Sequence, residues 1–221
     1  MGAFEFFQTS FSYIDKTSGE ERFVGLPEEG ARNVISCDPL EPGSVYAASV
    51  DDQGRVGLNR LEVGCAAGSG KLKLAGGIDG AMKESIQRAF AYVKANKVKL
   101  GIAAGFDLTD FHVEAIDLMQ NRVPCECGMA LIVAVISAVK RVPVQAALVI
   151  LGDISIQGNI KGVRTLVEPC QVAMENGAKR AMIPIENRRQ FLEVSGDVAE
   201  RLDPIFYGDA QVAANKALGS T

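Results

Sequence analysis

RVPCECGMALIVAVISAVKRVPVQAALVILGDISIQGNIKGVRTLVEPCQVAMENGAKRAM, residues 122–182, holds the pattern from which the fold is read. Gly128–Lys140 is apolar nearly all round, which predicts a central helix covered on every side. The turn Cys125-Glu126-Cys127 opens it. Residues 146–151 are a continuous apolar run, the signature of a strand buried on both faces. Ile154 and Ile156 then alternate with Ser155 and Gln157, and Gly158-Asn159 turns the chain, which predicts a short hairpin. Thr165-Leu-Val-Glu168 has the spacing of a capping box, and Pro169 fits a first helical turn. That helix is expected to run to Asn176, with Gly177 as its stop. A buried helix beside a buried strand, with helices and strands alternating after it, predicts one α/β (mixed α+β) domain.

Working outward, a strand over 181–185, a short helix over 187–194, a strand over 203–206 and a helix over 209–218 complete the C-terminal side. Upstream, Phe111–Ile116 reads as a strand carrying His112, the only histidine. Without a second histidine neither a metal site nor a histidine-based triad is readily built, so His112 is read as structural. Gly80–Asn96 reads as an amphipathic helix with Ile86, Ala89, Phe90 and Val93 on one face and Lys83, Glu84, Arg88 and Lys94 off it. Residues 45–50 and 56–63 read as a hairpin about Asp51-Asp52-Gln53-Gly54. Leu72 and Leu74 mark a half-buried strand. Gly64–Lys71 invites a phosphate-loop reading, but the glycine spacing is wrong and Leu72 replaces the magnesium-binding Ser or Thr. A flexible turn is expected there. Residues 1–43 are polar and turn-rich, with Phe4, Phe6, Phe7, Phe11 and Tyr13 at strand-like spacing and Glu20-Glu21 in a solvated turn.

The 221 residues suit one large domain or two small ones. A 48% hydrophobic share with only 6% aromatics calls for a core of Val, Ile, Leu and Ala. A net charge of −4 argues against a general nucleic-acid surface. Five irregularly spaced cysteines do not form a disulfide framework, so a reducing cytoplasm is expected. Met1-Gly2-Ala3-Phe4 lacks the basic and apolar segments of a signal peptide. The longest apolar run, 129–139, is too short to span a bilayer, and no membrane partner is expected.

From Gly70 to Leu218 the chain resembles the proteolytic domain of ATP-dependent Lon proteases. The match is carried by Met82-Lys-Glu-Ser-Ile86, Asp110-Phe-His-Val113, Gly152-Asp-Ile-Ser-Ile-Gln-Gly158 and Met182-Ile-Pro-Ile-Glu-Asn187, in the family's order and spacing. The resemblance implies the Lon proteolytic fold, within the superfamily shared with ribosomal-protein-like domains. It implies a division into a lead-in, 1–63, that joins an upstream module, and a Lon-like domain, 64–221. A narrower resemblance covers nearly the whole chain. Phe11-Ser-Tyr-Ile-Asp15, Arg122-Val-Pro-Cys-Glu126, Ser155-Ile-Gln-Gly-Asn-Ile160 and Asp203-Pro-Ile-Phe-Tyr207 look like the Lon-like proteins of bacteriophage-exclusion (BREX) defence systems. That implies a longer protein whose upstream ATPase module uses ATP and Mg, which self-associates into a hexamer-based ring and has DNA as a partner of the whole assembly.

The family's serine signature survives only in its back half, Gly128-Met129-Ala130-Leu131. Counting back from Gly128 places Glu126 at the nucleophile position, and an ungapped count through Gly152 and Gly158 places Pro169 at the position of the lysine base. A carboxylate is a poor nucleophile for a peptide bond, and proline carries no base. The expectation is therefore a domain without proteolysis that serves ring assembly, with Glu126 acting as a structural acid that caps the helix at Gly128. The competing reading is an active peptidase with Cys125 or Cys127 as nucleophile, activated by the helix N-terminus, and Lys161 or Lys140 as base. A third reading would make Cys125, Glu126 and Cys127 metal ligands, although three adjacent residues rarely converge on one ion.

Overall fold

The computed structural model describes residues 10–14, 21–25 and 34–219. The chain separates into two compact units at Arg32/Asn33. In the first, β1 (Ser10–Ile14) pairs antiparallel with β2 (Glu21–Gly25), from Ser10 opposite Gly25 to Ile14 opposite Glu21. The strand-like spacing of Phe4, Phe6 and Phe7 and the turn at Glu20 lie outside the described residues, while Glu21 already belongs to β2.

The second unit has the expected mixed α/β architecture. Its strands are β3 (Ser44–Val50), β4 (Val56–Ala67), β5 (Leu72–Gly76), β6 (Thr109–Asp117), β7 (Leu148–Ile150), β8 (Asp153–Ile154), β9 (Ile160–Lys161), β10 (Arg180–Pro184) and β11 (Asp203–Tyr207). Its helices are α1 (Gly80–Ala95), α2 (Gly128–Lys140), α3 (Val167–Glu175), α4 (Gly196–Arg201) and α5 (Ala210–Ala217). Seven strands form one sheet in the order β11-β10-β7-β3-β4-β6-β5. β3–β4 and β4–β6 are antiparallel, and the other four pairings are parallel. β8 and β9 form a separate hairpin.

Alternation along β3 feeds two cores. Val45 and Ala47 join the cluster that also holds the buried residues of α1, α2 and α5. Tyr46 and Ala48 join a cluster with Leu166, Cys170, Ala173, Val198 and Leu202 from the α3–α4 region. Helices thus cover both faces of the sheet, as a parallel half requires. α2 is the deepest element, with Gly128 through Ser137 buried without interruption. Its one polar residue in that run, Ser137, accepts from the Gly43 amide at 2.9 Å and donates to the Val142 carbonyl at 2.6 Å, so burial leaves no unpaired hydroxyl.

Several expectations shift. The division at 63/64 falls inside β4, because the β3–β4 hairpin is the middle of the sheet and not a lead-in. The flexible turn expected over 64–71 is mostly strand: β4 pairs with β6 as far as Ala67 opposite Thr109. Only Gly68–Gly70 turns, and the Asp110 carboxylate pins it by accepting from Ser69 N at 2.8 Å and Lys71 N at 3.0 Å. The strand expected from 146 starts at Leu148, because Ala147 is left-handed (φ 52°) and its carbonyl accepts from Lys179 and Arg180. Thr165 caps nothing. α3 starts after Leu166, which has no side-chain cap bond, and burial of Leu166 in the core sets that start. The helix expected at 187–194 is two 3₁₀ turns, Ile185–Arg188 and Gln190–Glu193, and α4 was not foreseen. Among the described residues no helix is long and apolar enough to cross a membrane.

Candidate functional site

The site is built around the start of α2. Upstream of it the Asp117 carboxylate gathers the amides of Met119, Gln120 and Arg122 at 2.8–3.0 Å, which holds Gln120 and Arg122 in left-handed conformations. The chain then enters the helix with strict alternation: Val123, Cys125 and Cys127 are buried, and Pro124 and Glu126 are exposed. Glu126 therefore points away from the two thiols, and the three side chains do not converge on one ion.

Nor does Glu126 cap the helix. Cys127 is the N-cap residue and has no side-chain cap bond. The orphan amides are met from other elements. Cys127 N donates to Ser85 Oγ of α1 at 3.1 Å, and Met129 N to the Gly152 carbonyl at 3.4 Å. The acid at this helix end is Asp153, 2% exposed, on β8. It accepts from Ser85 Oγ at 2.9 Å and pairs with the Arg88 guanidinium, whose Nε also donates to the Ile154 carbonyl at 2.9 Å. Lys161 Nζ stands 3.9 Å from Oδ2, the oxygen that Arg88 pairs with. Its nearness to Gly128 is extreme: a Cβ there would lie 2.1 Å from Asp153 Oδ1. A carboxylate at a helix N-terminus is favoured by the helix dipole, and burial without such partners would be costly. Gly152 (φ 100°) makes room for Asp153 by bringing the backbone against Pro184 and Tyr207, where a Cβ would lie 2.6 Å from each.

A cleft of about 240 Å³ opens over this helix end, bordered by Ser49, Asp51, Pro124, Glu126, Asp153 and Arg164 among others. Glu126 faces it. Pro169, buried in the first turn of α3, is not among the residues that line it. Glu126 and Pro169, expected from the sequence at the dyad positions, are thus an exposed carboxylate and a buried ring. Of the fallback residues, Cys127 is 1% exposed, and its thiol is pushed well up by the hydrogen bond with Cys125, by burial and by Asp153. Lys161 is half exposed and lies beside Asp153. Lys140 is in the last turn of α2, a helix roughly 20 Å long, so it cannot serve a thiol at the other end. His112 is exposed on β6, in register with Gly64 and Lys73.

Sequence reasoning missed Asp153, Ser85 and Arg88 as a group. The signal was there in Ser85, a polar residue inside the apolar stripe Met82, Ile86, Ala89 of α1.

Residues 49–219 match the family model of the Lon protease (S16) C-terminal proteolytic domain. The chain is 33% identical over 220 residues to the Lon-like protease BrxL of Escherichia coli O9:H4 (strain HS), covering 99% of this chain and 32% of that protein. It is 32% identical over 220 residues to the Lon-like protease BrxL of Bacillus cereus (strain H3081.97), with the same coverage. With the Lon protease of Escherichia coli (strain K12) it shares 33% identity over 147 residues, 66% of this chain and 19% of that protein. The chain thus spans about a third of the length of the BrxL relatives. A buried helix opening on a cleft, a hairpin that braces its first turn, and a family match across the whole sheet lead to one assignment: the chain belongs to the Lon protease (S16) C-terminal proteolytic domain family.

Proposed function

We propose that this chain is the C-terminal Lon-like domain of a longer ATP-dependent protein of bacteriophage-exclusion defence in the cytoplasm, and that it serves ring assembly without cutting peptides. What supports the reading is the pair of residues expected at the dyad positions. Glu126 offers the cleft a carboxylate in place of a hydroxyl, and Pro169 is buried and has no base. Kinship with the Lon-like protease BrxL proteins supports the defence context. In this proposal an upstream module takes ATP and Mg, the rings are hexamer-based, and DNA is a partner of the assembly and not of this segment.

The second reading is a peptidase using Cys127 and Lys161. It draws support from their shared surroundings, since Cys127 N bonds Ser85, Ser85 bonds Asp153, and Lys161 lies 3.9 Å from Asp153. One experiment separates the two. Purified protein is incubated with fluorescent casein and with a serine-directed fluorophosphonate, beside Cys127→Ala and Lys161→Ala variants. No cleavage and no label are expected. Casein hydrolysis that either variant abolishes would establish the peptidase. For assembly, light scattering on the full-length protein with nucleotide should report a multimer, and a monomer at micromolar concentration would refute the ring.

A further inference from the structure

Asn59 is buried, 3% exposed, and its side-chain Nδ2 has no hydrogen-bond partner. An unpaired amide in that position is costly, so its presence calls for an acceptor that a ligand brings. Alternation along β4 shows where the amide is aimed. Leu58 belongs to the core on the α3 side, whereas Leu61 and Val63 belong to the core of α1 and α2. Asn59 shares the parity of Leu61 and Val63, so its side chain is directed toward α1. Asp117 is opposite it on β6 and has the parity of Val113 and Ala115, which join the same core. A cavity of about 610 Å³ opens between this end of the sheet and the start of α1, bordered by Asn59, Asp79, Met82, Gln120, Arg122 and Val123 among others. None of its border residues lines the cleft of Glu126. The Asp117 carboxylate is occupied by the amides of Met119, Gln120 and Arg122. Asp79 caps α1 through Oδ1, which accepts from Met82 N at 2.8 Å, and among the described residues no donor meets its Oδ2.

The cavity therefore offers one neutral donor, Asn59 Nδ2, and one charged acceptor, Asp79 Oδ2, with the apolar Met82 and Val123 on the same border. A simple anion is repelled by Asp79, and a simple cation leaves the Asn59 amide unpaired. A flat ring that carries an acceptor beside donors satisfies both. Guanine has that edge: O6 accepts, and the adjacent N1–H and N2–H donate to a carboxylate. We propose that this cavity binds guanine nucleotides. Asn59 Nδ2 donates to O6, Asp79 accepts from the N1–H and N2–H edge, and Met82 and Val123 pack against the ring. The Arg122 guanidinium, a fork suited to phosphate, pairs with the phosphate group.

The test is calorimetric titration of the folded chain with GMP, AMP and inorganic phosphate. GMP should bind about tenfold tighter than AMP or more, the discrimination that a paired hydrogen-bonding edge gives. Phosphate alone should give no comparable binding. Asp79→Asn keeps a cap on Met82 N, because Asn caps as well as Asp, but presents an NH₂ group where Oδ2 stood. It should exchange the preference from GMP to XMP, whose O2 replaces the amino group of guanine. Asn59→Leu should weaken GMP about tenfold without lowering the melting temperature, since it removes a buried amide that pairs with nothing in the free chain. A merely structural asparagine would show the opposite pattern. No binding of GMP at millimolar concentration, or equal binding of GMP and AMP, would overturn the proposal. So would an Asp79→Asn variant that still prefers GMP to XMP. Should Asn59→Leu fail to fold, the nucleotide preferences of the wild type and of Asp79→Asn decide.

Discussion

A methyl group at position 128 would stand 2.1 Å from Asp153 Oδ1 and 3.4 Å from Ala89 Cβ. Gly128→Ala should therefore lose stability by about 1–3 kcal/mol through overpacking, although alanine is the better helix former. Urea unfolding measures it, and a gain in stability would show that Asp153 does not brace α2. The same bracket predicts a contrast between two acids. Asp153→Asn leaves the guanidinium of Arg88 without its charge partner in a buried cluster and should cost roughly 2–3 kcal/mol. Glu126→Ala, at an exposed side chain without a capping role, should stay within about 0.5 kcal/mol of wild type. The sequence pointed to Glu126 because it is next to the helix start. The amides at that start are met instead by Ser85, which Asp153 holds, and by the Gly152 carbonyl, and contacts between residues so far apart along the chain leave no local pattern to read.

Among elements, the helices and strands with a strong period were legible, and those whose limits depend on tertiary contact were not. α1 and α2 begin and end within a residue of their expected limits because their apolar patterns are long. α3 shows the opposite: Thr165 has the right spacing for a cap, but Leu166 is drawn into the core and the hydroxyl bonds no amide of the helix start. Thr165→Ala should then be near neutral. Asp209→Ala should cost about 1 kcal/mol, because Asp209 caps α5 at Gln211 N (2.8 Å) and Val212 N (3.2 Å). Denaturant midpoints of the two variants give the comparison. The turn at Gly68–Gly70 should respond to acid. The Ser69 and Lys71 amides, helped by Lys73 against partial desolvation, hold the Asp110 carboxyl below its ordinary 3.8. A lowered folded value means that its contribution is complete above 3.8 and is lost as pH falls through the folded value. Amide exchange at Ser69 and Lys71 should quicken over that acid range, and Asp110→Ala should show the quick exchange at neutral pH as well.

At the scale of the whole molecule, the sheet decides where the chain can be cut. β3 and β4 occupy its middle, and Ile35, fully buried, donates its amide to the Asn176 carbonyl at 3.0 Å. A chain starting at Gly64 should fail to fold, because two central strands are gone. One starting at Asn33 keeps every strand of the seven-stranded sheet and should unfold cooperatively. Circular dichroism melts of the two truncations test this, and a cooperative melt of the shorter one would contradict the topology. The misplaced boundary at 63/64 has a simple origin. The family signature is densest after Gly70, and nothing in the alternation of residues 45–63 says whether a hairpin lies at the centre or at the edge of a sheet.

The sheet order has a consequence for synthesis. β3 is an almost wholly apolar strand whose second neighbour, β7, begins at Leu148, nearly a hundred residues after β3 ends at Val50. At ribosomal rates of about 5–20 residues per second, that edge waits roughly 5–20 s for its partner. During that interval the nascent chain presents Val45–Ser49 as an unpaired template for any other strand. Slow codons between residues 50 and 148 would lengthen the wait and lower soluble yield, whereas slow codons after residue 150 would leave it unchanged.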